Sequence, residues 1–187
     1  MACRNPFAPP ARVEIRLGDD WQTIRANSTH PFSNWETNPK RYAINFENIV
    51  FVYTGAQAPL EFADTRGLYF EFDNGQVREI RVTTFGANAP WDKMAQRARL
   101  LVGDIERAGF RQREGKSADE LLARVRGHYD NPTFANMLNQ AELGVWQDGD
   151  AKIEIEFYRV HSRGDVVDGK GLPENEYSLS VKFWRDD

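Results

Sequence analysis

Two glutamates, Glu154 and Glu156, stand two residues apart in AKIEIEFYRV, and two aspartates, Asp148 and Asp150, flank Gly149 just before them. Carboxylates on alternate residues of a strand share a face, close enough for general acid–base work. Alternation with Ile153, Ile155 and Phe157 explains the glutamates without chemistry, as the solvent side of a half-buried strand. Turn preference explains the aspartates, and DGD supplies too few ligands for a calcium loop.

Other chemistries fare no better. GFRQREGKS approaches a phosphate loop, but five residues separate Gly109 from Gly115 where the loop needs four, and the segment follows a helical pattern, not a strand. Ser117 and Glu120 in SADE instead form a capping box that starts a helix. His30, His128 and His161 lie far apart with no metal-ligand spacing, and no G-x-S-x-G nucleophile turn occurs. RGD at Arg163 to Asp165 and the sequon at Asn27 are three-residue strings of the kind that arise by chance. The single cysteine, Cys3, excludes an intrachain disulfide and any zinc site built on several thiolates. In a Pro-containing lead, no fixed base tunes its thiolate for catalysis. The reading is a non-enzymatic chain with no catalytic residue, no metal and no cofactor.

The elements that position these residues follow from periodicity. With 187 residues, 41% of them hydrophobic, the chain suffices for one substantial core. Residues 1–11, with three prolines, read as an extended tether, and residues 12–187 as a single domain. RVEIRL and NIVFVY are strands, with a long irregular stretch from Gly18 to about Phe46 between them, packed by Trp21, Phe32, Trp35 and Tyr42. Leu68, Phe70 and Phe72 alternate toward Asn74-Gly75, and Ile80 and Val82 return, so this segment is a hairpin with a type I′ turn. Asn88 to Pro90 open a helix carried by Met94, Ala98, Leu101, Val102 and Ile105 and stopped at Gly109. A second helix runs from Ser117, and DNPTFANML suggests a third, short one. A hairpin around Asp148-Gly149 and the strand YSLSVKFW close the pattern. Strands, then helices, then strands again give an α+β fold: one or two antiparallel sheets with two or three helices packed on one face.

Charge points to a class of partner. A net charge of -4 gives no general reason to bind nucleic acid. Residues 86–126 hold nine basic side chains against six acidic, whereas residues 141–187 hold six against eleven. The acidic last quarter favours a basic protein partner. Within it, residues 161–176 form a long polar loop whose Asp165, Asp168, Glu174 and Glu176 are the candidate docking residues.

The N-terminal residues Ala2 and Cys3, followed by a Pro-containing tether, resemble the processed end of a bacterial lipoprotein. That resemblance implies lipid attachment at Cys3 and, with Arg4 instead of Asp next, a periplasmic or outer-membrane address. Without such processing the expectation is cytoplasmic. No run of eighteen apolar residues is present, so membrane contact is expected only through a lipid anchor. The body resembles small envelope proteins, including immunity proteins that neutralise antibacterial toxins, which implies a protein partner. The alternative is a module binding a small molecule or cell-wall fragment on the aromatic stretch from Trp21 to Tyr42.

Overall fold

Apolar residues on alternate positions bury one side of each strand, and a sheet built from such strands needs only one covered face. The computed structural model describes residues 9–32, 39–130, 140–160 and 176–186. Among them, eight strands join in one sheet: β1 (Ala11–Ile15), β2 (Arg41–Tyr53), β3 (Leu60–Asp73), β4 (Gln76–Pro90), β5 (Arg111–Gln112), β6 (Gln140–Asp148), β7 (Ala151–Val160) and β8 (Glu176–Arg185). The order is β1-β2-β3-β4-β8-β7-β6-β5, antiparallel throughout except for the parallel pair β1–β2. The fold is therefore α+β, with β8 inserted between β4 and β7.

Three helices, α1 (Trp21–Asn27), α2 (Trp91–Arg107) and α3 (Ala118–Asp130), lie on the apolar face. Trp21 of α1 reaches Phe70, Trp91 of α2 reaches Phe157 and Tyr177, and the Tyr129 hydroxyl of α3 donates to the Phe157 carbonyl at 2.8 Å. Met94, Ala98 and Ile105 of α2 are fully buried, as the periodicity requires. Gly109 ends this region at φ +104°, a conformation that strains any residue with a Cβ.

The sheet curls strongly. β2 and β8 are three strand positions apart, about 14 Å in a flat sheet, yet the Phe51 and Tyr53 rings of β2 lie 5.9 and 4.5 Å from Phe183 of β8. Register shifts between Asn45 and Ile49, and again between Ile49 and Phe51, bend the β2–β3 ribbon over the core.

Both hairpins form, the first with its turn where the sequence places it. Asn74 and Gly75 have φ of 50° and 81°, the two left-handed angles of a type I′ turn. In the second hairpin Asp148 pairs with Ala151, so the turn residues are Gly149-Asp150, one position later than the Asp-Gly signal suggests. Only Gly149 is left-handed there, at φ +56°, as a type II′ turn requires. The capping box of α3 is present: Ser117 N donates to Glu120 Oε2 at 2.8 Å, and Glu120 N donates to Ser117 Oγ at 3.3 Å.

Two local readings need correction. The stretch from Gly18 is not irregular to Phe46. Asp20 caps α1 by accepting from Thr23 N at 2.7 Å, and β2 already begins at Arg41. With only seven residues, α1 presents too few turns for its Trp21–Ile24 spacing to register as a period. Asn88 does not start α2: Ala89 and Pro90 still pair with β8, and the helix begins at Trp91 with no side-chain cap. The proposed third helix at Pro132, Phe134, Met137 and Leu138, and Trp35 with it, lie outside the described residues.

Trp21 is 2% exposed and touches Phe32, Tyr42, Phe70 and Phe72. Trp21→Ala is expected to cost about 3–5 kcal/mol, as for other fully buried aromatics, read as a lowered urea midpoint. Leu100→Ala, at the large apolar side chain that α2 leaves exposed, is expected to stay within about 0.5 kcal/mol of the parent. Similar midpoints for the two variants would remove α1 from the core.

Candidate functional site

Strand alternation that buries one face fixes the other. On β7, Ile153, Ile155 and Phe157 point to the helices, so Glu154, Glu156 and Tyr158 point away. Pairing carries this parity across the sheet: Tyr69, Arg81, Lys182 and Glu154 stand in one cross-strand row, and Thr83, Ser180, Glu156 and Glu142 in the next. Among the described residues no helix lies on this face.

Its cations and carboxylates are unevenly matched. Glu79 holds both central cations, Arg81 Nε at 2.6 Å and Lys182 Nζ at 3.3 Å. Burial alone would push the Glu79 carboxyl up, but the Arg81 hydrogen bond and the two positive charges outweigh it and hold it below the usual carboxylate range. Lys182 also lies 5.0 Å from the Trp184 ring centroid, a cation–π contact.

Toward β6 the balance reverses. Glu142 pairs directly with Glu156, an opposition of like charges that is unfavourable in an antiparallel sheet. Glu156 lies on the open face, as its alternation requires, but its neighbours cover it. It is 7% exposed, accepts the Tyr158 hydroxyl at 2.8 Å and also accepts from the Gln140 amide. Among the described residues none of Glu142, Glu154 and Glu156 forms an ion pair. Burial, reinforced by the charges of Glu156 and Glu142, raises the Glu154 carboxyl above its ordinary value.

A groove of about 350 Å³ adjoins this acidic end between α3 and β6, lined by Arg124, Val125, His128, Gln140, Ala141 and Glu142. Among the described residues no group of three His, Cys, Asp or Glu side chains is arranged to hold a metal ion. No described helix is long and apolar enough to cross a membrane.

The sheet edges are closed by side chains and by neighbouring backbone amides. At β1, Arg12 N donates to Thr29 Oγ1 at 2.8 Å and Glu14 N to Ser28 Oγ at 3.1 Å. At β6, beyond the two residues of β5, Arg113 N donates to the Val145 carbonyl at 2.9 Å and Arg124 Nη2 to the Leu143 carbonyl at 2.8 Å. Strand addition therefore meets occupied groups at both ends.

Of the docking residues expected from sequence, Glu176 is the first residue of β8, half-buried and paired with Pro90 and Val160, on the same parity as Ser178, Ser180 and Lys182. Asp165, Asp168 and Glu174, and the lipid-attachment candidate Cys3, lie outside the described residues. The sequence missed Glu142, Arg81 and Lys182 as companions of Glu154 because only strand order brings β4, β8, β7 and β6 side by side. Trp21, Phe32 and Tyr42 form one aromatic cluster with the core ring Phe70. No protein-family model, curated protein or solved structure matches this chain.

The raised Glu154 carboxyl gives a pH dependence with a definite sign. The folded state binds this proton more tightly than the unfolded chain, so the associated stability is complete below the unfolded value and is lost as pH rises through the folded one. Glu154→Gln is expected to be more stable than the parent at pH 7–8 and to lose that advantage toward pH 4, read from urea unfolding at several pH values. Glu79 has the opposite sign, contributing stability that is lost as pH falls through its depressed folded value. An advantage for Glu154→Gln that does not change with pH would refute the assignment.

Proposed function

We propose that this chain is a non-enzymatic, envelope-associated protein that binds a basic protein partner on the open face of its sheet, as an immunity protein neutralising a secreted toxin does. The observation that carries the reading is the composition of that face. Trp184, Tyr69, Tyr158 and Arg81 lie on it, partly or fully exposed, and these are the residue types that dominate binding energy at protein interfaces. Beside them Glu142 and Glu154 offer carboxylates that form no ion pair among the described residues, which suits a lysine or arginine of a partner. Closed edges and a helix-covered opposite face leave this as the available sheet surface. The envelope address rests on Ala2-Cys3 and the tether.

A second reading, a small-molecule or cell-wall-fragment module, draws on the groove between α3 and β6, whose volume of about 350 Å³ falls within the range of ligand pockets. A ligand-induced rise in melting temperature without a protein partner would favour it.

The test is affinity capture from the native cells with the parent and three variants. One stoichiometric protein is expected with the parent, and the purified pair should weaken with salt. Trp184→Ala and Arg81→Ala are expected to cost about 2 kcal/mol each, some thirty-fold in Kd; Leu100→Ala, on the opposite side of the molecule, should bind as the parent does. Face variants that retain full affinity would sink the docking surface. Mass spectrometry of the captured chain is expected to show lipid on Cys3, and unmodified Cys3 on protein recovered wholly from cytosol would overturn the address.

A further inference from the structure

The β3–β4 hairpin turns on the one Asn-Gly pair in the chain; at every other asparagine a residue with a side chain follows. An Asn-Gly pair is the least hindered setting for attack of a backbone nitrogen on the preceding side-chain amide, because glycine puts no Cβ in the way. Asn74 is exposed, and among the described residues no carbonyl accepts from the Gly75 N–H. Nucleophile and leaving group are both within reach of water.

The turn itself opposes the reaction. Ring closure needs the Gly75 nitrogen nearly eclipsed with the Asn74 Cβ about the Cα–C bond. In a type I′ turn ψ of the first central residue is about +30°, which sets that nitrogen almost opposite the Cβ. Asn74, at φ 50°, is that residue, and its side-chain amide donates to Asp73 Oδ2 at 3.3 Å. Behind the turn Asp73 pairs with Gln76, and Val77 is tied to the loop before α1: Gly18 N donates to the Val77 carbonyl, and Val77 N to the Asp19 carbonyl, each at 2.8 Å.

We propose that Asn74 is a site of spontaneous deamidation through a succinimide, guarded by its own turn, so that conversion proceeds only when the hairpin tip opens. On opening, the Gly75 nitrogen gives its proton to hydroxide and bonds to Asn74 Cγ, and the side-chain nitrogen leaves as ammonia. Water then opens the succinimide: attack at Cγ gives aspartate, and attack at the backbone carbonyl gives isoaspartate. The amide and one water become an acid and ammonia, with no oxidant or reductant. Either product adds a negative charge, and the isomer adds a methylene to the main chain of a two-residue turn. The reaction is independent of the docking proposed above.

The full chain is incubated at 37 °C and pH 9 in water enriched in heavy oxygen, folded in one sample and unfolded in guanidinium in the other, and residue 74 is followed by peptide mass spectrometry. In the unfolded chain it is expected to convert before any other asparagine, to a mixture of the two acids carrying one solvent oxygen. In the folded chain the same products are expected about ten- to a hundredfold more slowly, the ratio for a local opening that costs about 1.4–2.8 kcal/mol. Equal rates in the two samples overturn the guard. The site is overturned if another asparagine converts first in the unfolded chain, or if residue 74 stays intact in the folded chain well beyond the hundredfold time.

Discussion

Phe183 ties the two halves of this molecule together. Its ring meets Phe51, Phe62 and Tyr53 from strands that a flat sheet would hold well apart, while Ile80 and Ile153 flank it in strand register. Closing that contact requires the β2–β3 ribbon to bend, and the two register shifts in the ribbon provide the bend. The curl encloses the apolar face and provides the surface on which the helices lie. Everything on the other face, from Arg81 to Glu142, takes its position from this closure.

The two faces then obey different physics. On the covered side, burial of large rings dominates and hydrogen bonds finish the joints, as where the Tyr129 hydroxyl meets the Phe157 carbonyl. On the open side, charge is arranged in bands. The centre is internally neutralised around Glu79, whereas the β6–β7 end sets carboxylates against one another and keeps Glu154 above its ordinary protonation range. A surface that only had to stay soluble would gain stability from a lysine or glutamine at position 142 or 154. The cost carried there is the physical argument for use of the face.

Much of the fold was legible in local patterns. Asn74-Gly75, the Ser117–Glu120 box and the three- and four-residue spacing of α2 each state their conformation within a few residues, so α+β class and both hairpins followed. What escaped was short or non-local. Helix α1 is too brief to display a period, and β2 and β4 run past their apolar cores because sheet pairing, not propensity, sets their ends. The candidate site was legible only in fragments. Alternation placed Glu154 and Glu156 on one face, but it did not reveal that Glu156 is nearly buried, since the burial comes from neighbours on β6 and β8 distant in sequence. The acidic stretch 161–176 showed through composition, and of its four candidate residues Glu176 alone is described, as the first residue of β8.

The insertion of β8 between β4 and β7 has a consequence for biosynthesis. β8 leaves the ribosome after every strand it joins, so the middle of the sheet stays empty while the rest of the described chain is being made. Until it arrives, β4 and β7 each present an unpaired row of backbone groups and an apolar flank, and Phe183 is missing from the centre of the core. Topologies dominated by such distant pairings fold slowly and expose sticky intermediates. The chain thus completes its core only after translation has passed Arg185, and before that moment its apolar face is at its most exposed.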